Sequence, residues 1–106
     1  MDIEQLDLIL EDYEMDIVLP RTYFLSQKRR LERISYSRWA VEKLREHLIK
    51  GLNGKTRASL NYYIFATGNF LRIMDNYSRL NSKNSFMFST ASDISADILD
   101  LFMAMK

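Results

Sequence analysis

The sequence predicts an all-α protein, a compact bundle of four or five helices forming a single domain over 1–106. Three observations carry that prediction. Apolar residues recur three and four apart along most of the chain, which is helical spacing. Only three glycines and one proline punctuate the 106 residues, and there is no internal repeat. The composition, 47% hydrophobic and 27% charged, is that of an ordinary globular chain with room for one core.

The first helix is expected at about 2–15. Ile3, Leu6, Leu10, Tyr13 and Ile17 form its apolar stripe, and Asp2 stands where a cap belongs. It should stop ahead of Pro20, since the residue before a proline avoids helical geometry. Pro20 then suits the start of a second helix, about 21–34, with Phe24, Leu31 and Ile34 inward and Lys28, Arg29, Arg30 and Arg33 outward. Ser35 or Ser37 could cap a third helix, about 37–50, through Trp39, Val41, Leu44 and Leu48. One continuous helix bent at the serines is the alternative.

Thr56 reads as the cap of the longest helix, about 57–80. Leu60, Tyr63, Ile64, Phe70, Leu71, Met74 and Tyr77 mark one face, and Tyr62, Phe65 and Ile73 make it apolar nearly all round. Such a helix is central, or half of it is committed to another chain. Gly68 within it suggests close approach of a neighbouring backbone. Asn81 to Ser85 reads as a polar loop, Phe86-Met87-Phe88 as a return to the core, and Thr90 with Asp93 as the cap of a last helix, about 90–105.

Charge is strongly segregated behind a net of +1. Residues 1–20 hold seven acids and no base, 21–57 hold eleven bases against three acids, and 58–106 hold four of each. The acid-rich opening argues against a signal peptide, and no apolar run approaches the roughly 20 residues of a membrane span. With no cysteine, disulfides and thiolate metal sites are excluded. A cytoplasmic protein with no membrane association is expected.

Lys50-Gly51-Leu52-Asn53-Gly54-Lys55-Thr56 ends like a phosphate-binding P-loop. That loop needs four residues between its first glycine and the final Gly-Lys-Thr, and a strand ahead of it. Gly51 and Gly54 enclose two, after a stretch with helical spacing, so a glycine-capped helix end and an Asn-Gly turn are predicted, and no nucleotide site. Asp93 and Asp97 share a helix face and could begin a metal site, but the spacing equally fits a solvated surface. His47, the sole histidine, reads as a partly exposed residue near a helix end. No catalytic, cofactor or metal residues are expected.

Two binding readings remain. Large apolar side chains on 60–77 and 86–88 exceed what a small core needs, which favours a non-enzymatic interaction module, an adaptor or inhibitor that binds a protein partner or itself. Trp39, Tyr62, Tyr63, Phe65 and Phe70 are its expected anchors, aromatics being dominant at interface hot spots. The alternative is nucleic-acid binding through the basic segment 28–38, with Lys28, Arg29, Arg30, Arg33 and Arg38 on phosphates and Tyr36 and Trp39 stacking. Against it, the acidic first helix could lie across the basic region and neutralise it. A narrower reading makes that helix a mimic of nucleic-acid charge.

The stretches Tyr36-Ser37-Arg38-Trp39-Ala40-Val41-Glu42 and Phe86 to Leu101 resemble parts of short uncharacterised α-helical proteins of bacterial phages and mobile elements. The resemblance implies a bacterial cytoplasm and an accessory role, and it brings no activity, cofactor or catalytic residue.

Overall fold

The computed structural model describes residues 1–106. The chain is all-α: α1 (Ile3–Tyr13), a π-helical turn (Glu14–Val18), α2 (Leu19–Arg21), α3 (Gln27–Lys50), α4 (Leu60–Leu80) and α5 (Ser85–Ala104). The π turn and α2 continue α1 without a break, so four helical tracts build the bundle. No helix is long and apolar enough to cross a membrane.

The first tract begins as its sequence foretells. Asp2 accepts a hydrogen bond from the Gln5 N–H at 2.8 Å, and the Gln5 side chain accepts from the Asp2 N–H at 2.9 Å, a reciprocal capping box. Leu6, Leu10 and Tyr13 are buried along the expected stripe. The tract does not stop before Pro20, however; it runs through it to Arg21. Proline has no N–H to return to the carbonyl four residues back. The chain widens ahead of it instead, and the Leu19 N–H reaches five residues back to Glu14. Proline therefore sits inside this tract, and the next helix starts later, at Gln27, with the Ser26 hydroxyl accepting from the Arg29 N–H.

The expected break at Ser35–Ser37 is absent: α3 is one helix of 24 residues. Ser37 is buried there as a small side chain on the ridge that carries Ala40, Leu44 and Leu48 into the core. Phe24 and Leu31 are exposed, so the packed face of α3 is not the one they marked. The acids of the first tract lie along α3 in opposite order, Asp7 by Arg45 and Glu14 by Arg38, which makes the two antiparallel.

Between α3 and α4 the chain turns through Asn53 (φ 53°) and Gly54 (φ 85°), the expected Asn-Gly turn. Gly51 ends α3 with ordinary helical geometry, so its value lies in space rather than in backbone freedom. A Cβ there would collide with the Tyr62 hydroxyl, which donates a 2.6 Å hydrogen bond to the Leu48 carbonyl. That carbonyl is one of the helix-end acceptors with no partner inside α3. The cap of α4 is Ser59, not Thr56; the Thr56 carbonyl instead takes the Ile3 N–H at 3.2 Å, beside a single bridge between Asp2 and Arg57.

α4 and α5 are the most closely packed pair. Small buried residues, Ala66 and Thr67 on one and Ala91 and Ser95 on the other, allow it. Ring contacts of Tyr63 with Phe102 and of Tyr77 with Phe88 match the start of each helix to the end of the other, an antiparallel hairpin closed by Asn81–Asn84. α5 begins at Ser85, so Phe86 to Phe88 are helical and Thr90 is no cap; its hydroxyl donates to the Phe86 carbonyl. Gly68 meets nothing within 4 Å, which overturns the expected close backbone approach. The core is Leu6, Leu10, Tyr13 and Val18 of the first tract, the α3 ridge, Tyr63, Ala66, Phe70 and Met74 of α4, and Ala91, Ile94, Ile98 and Phe102 of α5.

Candidate functional site

The fold divides the basic segment in two. At its C-terminal end and beyond, Arg38 and Arg45 are taken up by the first tract. Arg45 donates two hydrogen bonds to the Asp7 carboxylate, at 2.6 and 3.1 Å, and Arg38 donates one to Glu14 at 2.6 Å. Asp7 thereby holds the Arg45 guanidinium still more firmly protonated. These pairs bridge a cleft of about 280 Å³ with Leu10, Val18 and Val41 among its lining. Arg38 is thus paired within the chain, unlike the rest of its expected group.

The N-terminal part is bare. Lys28, Arg29, Arg30 and Arg33 are all exposed, and none forms an ion pair. No acid stands in the first turn of α3, where the helix dipole favours one, so three bases crowd its positive end. Arg30 lies over the Tyr23 ring at 5.4 Å. Phe24 is 96% exposed on the preceding turn.

Geometry explains why this end is uncovered. The α3 ridge that enters the core through Ser37 and Ala40 continues outward as Tyr36, Arg33 and Arg29, at the same helical spacing. Two arginines replace the aliphatic residues a buried ridge would carry. With Leu25, Glu32 and Phe86 they line a groove of about 370 Å³. The Phe86 ring meets Tyr36 edge-on at 5.4 Å. The result is an apolar floor beneath two unpaired guanidinium groups, suited to anionic groups carried on an apolar scaffold.

The five expected anchors do not form one surface. Tyr63 and Phe70 are buried in the core and unavailable to a partner. Tyr62 is spent on the Leu48 carbonyl. Trp39 is half-buried, edge-on to Phe88 at 6.1 Å. Phe65 alone stands clear, 70% exposed on the outer face of α4. Half of α4 therefore faces inward and half outward.

Ionisable groups converge at one other place, a cleft of about 110 Å³ between the first tract, α3 and α5. Asp97 accepts a 2.9 Å hydrogen bond from the buried Tyr13 hydroxyl and another from Arg21. Burial, then the hydrogen bond to Asp97 and its negative charge, push the Tyr13 hydroxyl well above the usual tyrosine range. Arg33, Asp93, Ser37 and Thr90 are the other polar groups of the lining. Asp97 is already spent on Tyr13 and Arg21 and so clamps the first tract to α5, while Asp93 only lines the cleft beside it. His47 is half-buried beside the Phe70 ring at 5.3 Å in the last turn of α3, close to expectation.

Sequence reasoning did not single out Leu25 or Phe24 as surface groups. Apolar spacing places Phe24 in an inward stripe, and Phe86 both at a return to the core and within the surplus of 86–88, because it does not distinguish a floor from an overhang. The run of bases that begins at Lys28, three residues after Leu25 and four after Phe24, was the available signal. Comparison of the chain with protein-family models, with curated proteins and with solved structures returned no match.

Proposed function

We propose that the chain is a small non-enzymatic helical interaction module, an adaptor or inhibitor that binds a protein partner or itself. The binding surface is built by residues 22–26, the overhanging start of α3 and the first turn of α5. The observation that carries this reading is the mixture there: exposed Phe24, Tyr23, Leu31 and Phe86 interleaved with Lys28, Arg29, Arg30 and Arg33, none with a carboxylate partner. Exposed aromatics and arginines are the side chains that dominate binding energy at protein interfaces. From the resemblance noted in the sequence, the setting proposed for it is the bacterial cytoplasm, in an accessory role on a phage or mobile element.

Affinity capture from the source cells, run side by side with wild type and F24D/F86D, tests the proposal. The wild type should retain a partner, or itself, that the variant loses while keeping its helical circular dichroism. Equal recovery by both proteins defeats the reading.

Nucleic acid is the second reading, favoured by the three bases in the first turn of α3 and by Tyr23 and Tyr36 beside them. It now rests on Lys28, Arg29, Arg30 and Arg33, since Arg38 is engaged by Glu14. Binding should fall steeply with salt and vanish in R29E/R30E. A mobility shift unchanged in that variant removes it.

A further inference from the structure

From the placement of charge we infer that the groove beneath Arg29 and Arg33 receives the outer face of α1 from a second copy of this chain. The inference rests on the reading of the protein as an interaction module and names the partner for that surface.

The outer face of α1 and its continuation carries Glu4, Leu8, Glu11 and Met15, spaced four, three and four residues apart, and all four are exposed. Leu8 and Met15 are each more than half exposed, so the stripe is acidic and apolar at once. None of its carboxylates has a basic partner. Across the groove Arg29, Arg33 and Tyr36 repeat the spacing of four and three, with the two arginines four residues apart against glutamates seven apart, Glu32 also in the lining and Phe86 as apolar floor. Rows spaced in this way are the ridges that interlock when two helices pack. The acidic stripe is roughly 16 Å long, against about 10 Å from Arg29 to Tyr36, long enough to cover it.

The chain already uses this chemistry once. Asp7 and Glu14, on the neighbouring flank of the same helical tract, hold Arg45 and Arg38 of the same α3. With that flank engaged and the apolar stripe in the core, Glu4, Leu8 and Met15 are left exposed, and Glu11 stands at the rim of the cleft toward α3 without a basic partner. No base of the same chain pairs with the stripe, which leaves it free to meet another molecule. A second copy brings both halves, an unpartnered acidic ridge and an unpartnered basic groove.

Analytical ultracentrifugation of wild type, R29E/R33E and E4K/E11K tests this at about 0.05 M and about 0.5 M salt, where screening lengths differ severalfold. All four positions are exposed or at the groove rim, and circular dichroism verifies the folds. The wild type should self-associate, at least tenfold more weakly at the higher salt. Each variant alone should be monomeric, and an equimolar mixture of the two should associate again, because the reversed charges complement each other. A monomeric wild type at low salt overturns the inference, as does association that both variants retain.

Titration with a synthetic acidic helix carrying the Glu-Leu-Glu-Met stripe separates the two levels of the argument. A monomeric wild type that binds this peptide, with loss in R29E/R33E, overturns self-pairing and keeps the protein-binding surface. Binding neither itself nor the peptide overturns both. A monomer that instead shifts a short nucleic-acid duplex, reversed by R29E/R33E, overturns both in favour of the second reading.

Discussion

Tyr62 and Gly51 illustrate how one contact dictates two residue types. The hydroxyl of Tyr62 closes the end of α3 by donating to Leu48, and only a glycine at 51 leaves it room. Gly51→Ala should cost about 1–2 kcal/mol, the value of a displaced hydrogen bond at a partly buried carbonyl. In a Tyr62→Phe background the same substitution should cost much less, and urea denaturation of the four proteins measures the coupling. Gly68 is the counterexample. It lies in mid-helix with open space where a Cβ would go, so Gly68→Ala should gain up to about 1 kcal/mol from helix propensity alone.

Helices α4 and α5 pack through small residues, and one of these carries a flaw. The Thr67 hydroxyl is fully buried and has no hydrogen-bond partner, whereas the Ser95 hydroxyl of α5 donates to the Ala91 carbonyl of its own helix. Thr67→Val keeps the shape and removes the stranded polar group, so stability should rise by about 1 kcal/mol. An unchanged or lowered thermal midpoint would refute that account. At this scale the number and faces of the main helices were legible, because Leu6, Leu10, Tyr13, Leu44, Leu48, Tyr63 and Phe70 sit on strict helical spacing. The boundaries at Pro20, Ser35, Thr56 and Thr90 were not. Proline and serine advertise ends only when backbone groups there lack other partners. A π turn admitted Pro20, burial claimed Ser37, and Ser59 took the role given to Thr56.

For the molecule as a whole, three tyrosines link stability to alkaline pH. Burial raises Tyr13, Tyr62 and Tyr63 above the ordinary value of 10.0. Each is held protonated in the fold, so its contribution is complete below pH 10 and is lost as pH climbs beyond it. Tyr13, which also donates to Asp97, should alone remove up to about 1.4 kcal/mol per pH unit once the unfolded chain ionises. Denaturant midpoints for wild type and Tyr13→Phe, followed from pH 8 to pH 11, should stay a constant distance apart below pH 10 and converge above it. The segregation of charge that organises the surface was legible as a count along the chain. Its outcome was not, because Arg38 and Arg45 are paired while Arg29 and Arg33 are unpaired only through the antiparallel course of the first tract. That course has a hidden dependence on the wide turn at Glu14–Val18. A π turn holds one residue more than regular helix does, which swings everything downstream by roughly 100° about the axis. A chain shortened there by a single codon could still coil to Arg21, yet it would aim Arg21 away from Asp97 and send Phe24 and Leu25 out in another direction.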